Sequence, residues 1–214
     1  MKGRPNDGLF DFLDKAGNFI LANLLWVLLS IPVITLPMAT AGLFASMSPW
    51  ARGKSAEVFQ DFFGGMRQHW RKASLIVLMD VLLGGLIILN LSIFRLMNLP
   101  QPLILLSQSV TLFVAVTAIM VNLYLWPLMV TFDELSLRRL LDTSLKLVFA
   151  HPAWSFAVLI MALVPLLLSL LLPAAVFILG SFSSVALVVS WGAWRIIRRY
   201  APEEPIVTEE ETVP

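Results

Sequence analysis

The 214-residue chain contains no cysteine, only two histidines, and few charged residues. Without cysteine it can form no disulfide, thiolate metal site or cysteine nucleophile. His69 and His151 are too far apart in sequence to be a local metal-binding motif, and neither phosphate-loop pattern, GxxxxGK[ST] or GxGxxG, occurs. The net charge of +1 gives no basic footprint for nucleic acid. We expect a protein that is not an enzyme and that uses no cofactor, metal or nucleic-acid partner.

Apolar residues dominate what is present. They make up 58% of the chain, and charged residues make up 14%, against about 25% in soluble proteins. Four apolar stretches of membrane-spanning length follow one another at about 73–96, 103–126, 153–172 and 173–194. Lipid offers the backbone no hydrogen-bonding partner, so stretches of about 20 such residues must cross as helices. The sequence predicts an all-α, polytopic membrane helix bundle, and the lipid bilayer is one of its expected partners. The uncharged run at 180–184 is an alternative turn between the last two helices.

An earlier apolar stretch, at about 17–47, is broken by Pro32 and Pro37, with Thr35 between them. As one straight helix it would be about 46 Å long, which exceeds the roughly 30 Å hydrocarbon core. Each proline removes a backbone donor and disfavours helix just before it. Two arrangements satisfy these facts. The preferred one is a single crossing followed by a bent, small-residue helix, for about five crossings. The alternative is a tight hairpin of two short segments, which makes six.

Polar segments flank and connect these stretches. Residues 1–16 are predicted to be an interfacial segment, 17–200 the transmembrane domain, and 201–214 a disordered acidic tail. The connectors at 48–72 and 127–151 place apolar side chains at helical spacing opposite charged ones. That pattern is typical of amphipathic helices that rest on the inner leaflet or pack on the bundle.

Basic residues fall almost entirely on one side of the predicted bundle. The opposite turns hold only Arg95, whereas the connectors and the end of the last span hold Arg52, Lys54, Arg67, Arg71, Lys72, Arg138, Arg139, Lys146, Arg195, Arg198 and Arg199. By the positive-inside rule that side is cytoplasmic. We therefore expect a multi-pass protein of the cell membrane with its C-terminus in the cytoplasm.

A few polar residues lie within the apolar stretches and are the candidate functional site. Asp80 lies about 10 Å beyond the inner boundary, where an ionisable group costs about 2.5–3.5 kcal/mol to insert. It is either a proton or cation site that faces a cavity or a carboxyl bonded to a neighbouring helix. Gln108, Thr111 and Asn122 share one face of the third apolar stretch, which predicts a helix contact or, alternatively, a polar pathway. Asn23 is the corresponding polar residue of the first stretch.

Several motifs resemble one family. Asn23 begins an apolar run that contains Trp26 and ends in Pro32-x-x-Thr35, and a small-residue segment follows at 39–43. Further matches are Phe59-Gln60-Asp61-Phe62-Phe63, Arg67-Gln68-His69-Trp70 and Tyr124-Leu125-Trp126-Pro127-Leu128. Over roughly 9–200 the chain resembles the YesL-like family of bacterial membrane proteins. It departs from the family at Leu36-Pro37, where a glycine is usual, and in its long acidic tail.

The resemblance implies a place in the bacterial cytoplasmic membrane. Members of the family are typically encoded beside carbohydrate uptake systems, which implies an accessory or regulatory component of carbohydrate uptake with sugar-transporter subunits as candidate partners. A homo-oligomer is the other assembly considered. Two further functions remain open: a small proton-coupled transporter or channel with Asp80 in its pathway, and an enzyme that acts on lipid or lipid-linked sugar. The candidate groups for the enzyme are the carboxylates of Asp61, Asp133 and Glu134.

Overall fold

The computed structural model describes residues 7–96, 100–171 and 174–200, with the side chains of 7–12, 94–96 and 174–178 outside the description. Residues 1–6 of the predicted interfacial segment and the predicted acidic tail, 201–214, also lie outside it. All regular structure in the described ranges is helical, as the sequence predicts. The elements are α1 (Asp7–Ser30), a 3-10 helix (Val33–Thr35), α2 (Leu36–Ala51), α3 (Val58–Leu96), α4 (Gln101–Thr131), α5 (Leu137–Ala150), α6 (Pro152–Leu171) and α7 (Ala174–Ile197).

Three helices in the described ranges are long and apolar enough to cross a membrane. They are Val58–Ile93, Gln101–Thr131 and Pro152–Leu171, with mean hydropathies of 2.4, 2.2 and 2.4. They contain the second, third and fourth predicted spans. Most of their large apolar side chains face outward, as expected of helices that a bilayer surrounds. These three helices are those of a membrane protein, but they do not establish the predicted count of five crossings.

The first apolar stretch breaks where its prolines predict. α1 ends at Ser30, and α2 begins at Leu36 with Pro37 in its first turn. Thr35 closes the bend, because its hydroxyl donates to the carbonyl oxygens of Leu29 at 2.5 Å and Pro32 at 2.7 Å. The three predicted bend residues, Pro32, Thr35 and Pro37, therefore all lie in or beside this turn.

α2 folds back along α1 after this bend. Trp26 Nε1 donates to Thr40 Oγ1 at 3.1 Å, and the rings of Phe19 and Trp50 stack with centroids 6.5 Å apart. Contacts nested in this way about one turn belong to a helical hairpin. α1 and α2 thus form a helical hairpin, as the alternative arrangement has it, and α2 is the small-residue helix that follows the first apolar segment in the preferred arrangement. Residues 7–16 continue into α1 without a break.

α2 lies at the centre of the bundle and is rich in small residues, which allow neighbouring helices to approach closely. Its closest approach is to α3. A Cβ built on Gly42 would lie 2.6 Å from the carbonyl oxygen of Phe62, and one built on Gly65 would overlap the side chain of Ala45. Glycine at both positions lets the two helices cross with their backbones almost in contact.

The connector predicted at 48–72 differs from expectation in one respect. Its second half is not a separate amphipathic helix, because α3 runs unbroken from Val58 to Leu96. This half packs on the bundle, as one of the two alternatives has it, since Phe62 is fully buried and His69 is 4% exposed. The second connector contains the expected amphipathic helix, α5, whose N-cap Ser136 accepts a hydrogen bond from the Arg139 amide. The alternative turn at 180–184 is wrong, because α7 continues through it.

Candidate intramembrane polar site

Asp80 of α3 and Asn122 of α4 meet in the seam between these two helices. Asn122 Nδ2 donates to Asp80 Oδ1 at 3.0 Å and to the carbonyl oxygen of Ala118 at 3.1 Å, while its Oδ1 accepts from Trp126 Nε1 at 3.1 Å. The amide of Asn122 therefore uses both its donor and its acceptor. It connects a buried tryptophan to the half-buried carboxyl group of Asp80.

A second polar contact joins the same helices nearer their other ends. Asn90 Oδ1 of α3 accepts hydrogen bonds from Thr111 Oγ1 at 2.9 Å and Ser107 Oγ at 3.2 Å, both on α4. Asn90 is about 15 Å along the helix from Asp80. The two contacts lie at separate points of the seam and fix the register of α3 against α4. Apolar side chains gain similar free energy from contact with lipid and with protein, so hydrogen bonds between helices help to determine which faces pair.

Two open cavities lie on either side of the contact between Asp80 and Asn122. One, of about 600 Å³, extends toward Phe113 in one direction and toward Asp142 of α5 in the other. The other, of about 550 Å³, extends toward Phe44 of α2 and Val189 of α7. The side chains of Asp80 and Asn122 line both cavities, so the carboxyl group stands between two apolar clefts.

The lining of these cavities determines what they can bind. Most of it is aliphatic or aromatic, and its polar side chains are Asp80, Thr117, Asn122 and Asp142. Among the residues that the structure describes, no lysine or arginine lines either cavity. The carboxyl group of Asp80 therefore faces an apolar space without a cation from the lining. A smaller cavity, of about 310 Å³, places Gln108 beside Thr111.

The predicted site residues thus divide into two groups. Asp80, Gln108, Thr111 and Asn122 lie along the α3–α4 seam, where the last three share one face of α4. Asn23 lies elsewhere: it is fully buried on α1, and its Oδ1 accepts a hydrogen bond from the Ser183 amide of α7 at 2.9 Å. Its geometry is that of a helix–helix contact in the core.

Sequence reasoning missed Asn90 and Trp126 as members of this seam. The partners of Asn90 on α4 could not be inferred from spacing on α3 alone. Trp126 lies four residues after Asn122, one turn along the same face, and that spacing was the available signal. Its ring also stacks on Phe44, with centroids 5.8 Å apart, which connects the seam to the central helix.

One of the carboxylates considered for an enzyme, Asp133, is held by contacts with α3. Asp133 packs against α3, where its side chain contacts His69 Nε2 at 3.2 Å and accepts from Gln68, and its carbonyl oxygen accepts from Lys72 Nζ at 2.5 Å. These contacts fasten the α4–α5 loop to α3. Within the described part of the chain no group of three His, Asp or Glu side chains is placed to hold a metal ion.

The amino-acid sequence of this chain matches a protein family and a known protein. The family model described as "Protein of unknown function, DUF624" matches residues 19–91, from α1 through most of α3. The "Uncharacterized protein YesL" of Bacillus subtilis (strain 168) is 30% identical over 153 residues, which are 69% of each chain. The chain belongs to the YesL-like, DUF624 family. No solved structure matches it. The family match includes the α1–α2 hairpin, Asp80 and Asn90, whereas the partners of these two residues on α4 lie outside the matched range.

Proposed function

We propose that this YesL-like protein is a multi-pass protein of the bacterial cytoplasmic membrane with six crossings, formed by α1, α2, α3, α4, α6 and α7. The hairpin of α1 and α2 supports six crossings rather than five. α2, at about 24 Å, is shorter than the hydrocarbon core but is surrounded by other helices rather than by lipid. Basic residues at the ends of the helices support cytoplasmic placement of both termini.

Its role, in this proposal, is that of an accessory subunit without enzymatic activity, which binds another membrane protein through the α3–α4 face. The observation that carries the proposal is the Asp80 carboxyl group, which is open to two cavities whose described lining residues include no basic side chain. Ionisable groups within membranes pair with one another or mark a pathway. A transmembrane helix with a lysine, an arginine or another hydrogen-bond donor at the same depth would fill the cleft and pair with Asp80.

The cavity composition bears on the link with carbohydrate. Sugars carry many hydroxyl groups, and their sites need convergent polar partners, whereas the clefts beside Asp80 are mainly aliphatic. A role in carbohydrate uptake would therefore run through the partner, a sugar-transporter subunit, and not through a sugar bound in these clefts. That role depends on the family resemblance alone, and the names of the matching proteins state no substrate.

A second candidate is a small proton-coupled transporter. The observation that favours it is the distribution of polar groups along the seam, from Gln108 and Thr111 at one end, through Asp80, to Asp142 of α5 at the other. Here Asp80 would exchange a proton instead of pairing with a partner helix.

Photo-crosslinking in cells tests the accessory role. A photoreactive residue would replace Leu86 or Phe113, which line the larger cleft and are 62% and 61% exposed. The matched controls are Ile160 and Leu167 of α6, which are 62% and 58% exposed and line neither cavity. We expect a discrete protein adduct from the two cleft positions only. Equal labelling at all four positions, or adducts with lipid alone, would contradict a partner in the cleft.

Asp80→Asn distinguishes the two candidates. Asparagine keeps the hydrogen-bonding shape and removes the charge, so the protein should reach normal abundance but lose the cleft adduct if Asp80 pairs with a partner. If the protein purifies instead as a homo-oligomer alone, and the reconstituted protein shows a proton-linked flux that Asp80→Asn abolishes, the transporter replaces the accessory subunit.

A further inference from the structure

A second polar cluster lies at the ends of α6 and α7 that carry the basic residues. The guanidinium carbon of Arg195 lies 5.2 Å from the ring centroid of Trp154 and 5.7 Å from that of Trp191. The two rings are themselves 6.0 Å apart at an interplanar angle of 50°. A single arginine thus contacts two tryptophans, a cation–π arrangement stronger than either contact alone.

The tryptophans are held on rigid elements. Trp154 Nε1 donates to the carbonyl oxygen of Gly192 at 2.9 Å, which orients its ring. Gly192 itself contacts Val158 so closely that any Cβ there would overlap the valine side chain. The cluster is therefore built on two helices in close contact, and the position of the Arg195 guanidinium follows from that packing.

The charge of this cluster has no counter-ion in the described part of the chain. Three exposed arginines lie at the end of α7 and just after it: Arg195, Arg198 and Arg199. No carboxylate of the described residues forms an ion pair with them. The cation–π contacts with the tryptophans supply no oxygen acceptor for the N–H edges of the Arg195 guanidinium. Those edges match the oxygen pairs of a phosphate group.

We propose that Arg195, Trp154 and Trp191 form a binding site for the phosphate of an anionic phospholipid. Trp191 is 41% exposed, so its ring can lie against the lipid beside the headgroup. Tryptophan and arginine side by side at the end of a membrane helix lie at the depth of the headgroups. The site rests on the proposed membrane placement, and it lies apart from the Asp80 clefts, whose linings do not include these residues.

The test uses the full chain in phosphatidylcholine vesicles with and without phosphatidylglycerol. Lipid retained through purification is identified by native mass spectrometry. Wild type should retain phosphatidylglycerol selectively. Arg195→Gln should weaken this retention on the order of tenfold to a hundredfold, as expected for a lost charge-assisted hydrogen-bond pair. Arg199→Gln removes the same charge without a tryptophan contact and should weaken it by about fivefold at most, the general attraction of one basic residue to an anionic surface.

Two further variants separate a built site from surface charge. Trp191→Leu keeps every charge, and it should reduce retention several-fold if the ring positions Arg195. Arg195→Lys keeps the charge without the planar fork and should restore only part of the retention. Equal losses for Arg195→Gln and Arg199→Gln, or full retention in Trp191→Leu, would overturn the site. Displacement of the lipid by added inorganic phosphate would also overturn it, since the site would then take free phosphate. Insertion into the vesicles is scored separately, so failure of the membrane placement is distinguishable from failure of this site.

Discussion

The crossing of α2 and α3 gives the sharpest test of the packing, because adjacent glycines on α3 have opposite surroundings. A Cβ at Gly65 would overlap the Ala45 side chain and lie 3.3 Å from the Ala41 carbonyl oxygen, whereas a Cβ at Gly64 would meet nothing within 4 Å. Carbon atoms are in favourable contact at about 3.5–4.0 Å, so Gly65→Ala must push the helices apart by roughly 1 Å. Overpacking of this kind costs about 1–3 kcal/mol.

Gly65→Ala also has a stabilising effect on the helix, and the control variant Gly64→Ala measures that effect separately. Alanine favours a helix interior over glycine by up to about 1 kcal/mol, and this gain applies equally to Gly64→Ala. We therefore expect Gly64→Ala to be slightly more stable than wild type and Gly65→Ala less stable, with a gap of about 1–3 kcal/mol between them. Thermal unfolding in mild detergent, followed by fluorescence-detected size exclusion, measures both. If Gly65→Ala matches Gly64→Ala, the backbones do not meet at this crossing and the reasoning is refuted.

Buried hydroxyl groups and the helical bend supply further predictions. Ser144 is fully buried and its hydroxyl has no hydrogen-bond partner among the described residues, so Ser144→Ala should leave stability unchanged or raise it by up to about 1 kcal/mol. Ser155 is equally buried but bonds the Tyr124 hydroxyl at 2.9 Å, so Ser155→Ala should cost about 1–3 kcal/mol. The same unfolding assay compares them, and equal effects would contradict these contacts. Thr35→Val removes the hydroxyl that closes the α1–α2 bend and should cost about 1 kcal/mol. Unchanged stability there would mean that water replaces the bonds.

Much of the fold could be predicted from the sequence because lipid restricts the backbone to few solutions. Long apolar runs must be helices, and the two closely spaced prolines of the first run disfavour helix there, so the three most apolar helices and the break near Pro32 follow directly. Single prolines do not have this effect, because α4 and α6 continue through Pro127 and Pro165. The polar face of α4 could also be predicted, since the 3- and 4-residue spacing of Thr111 and Asn122 with their neighbours is a property of any helix.

What could not be predicted is which faces meet. In helices that are apolar all round, the side toward lipid and the side toward protein look alike, because burial against protein gains little over burial in lipid. The hydrogen bond between Asn23 and Ser183 joins residues 160 positions apart, and no local pattern identifies that pairing. For the same reason the sequence does not determine whether α2 folds back along α1. The contacts of Thr40 with Trp26 and of Trp50 with Phe19 show that it does.

The sequence predicts a boundary between the connector and the membrane span at the point on α3 where charged residues are followed by apolar ones. Composition marks the membrane edge, but a helix can cross that edge without ending. Backbone hydrogen bonds within a helix are satisfied in water and in lipid alike, so α3 continues through. Composition therefore indicated depth and not the end of the element.

The α3–α4 seam itself shows why the charge at Asp80 calls for a functional explanation. The outer contact, from Asn90 to Thr111 and Ser107, joins the same two helices with neutral groups. A neutral amide at position 80 could bond Asn122 equally well, and it would avoid the cost of an ionisable group within the membrane. Pairing of the helices thus explains the hydrogen bond but not the carboxyl group. If Asp80→Asn preserved abundance, stability and every cleft adduct, the residue would be a second structural contact and the functional argument would fall.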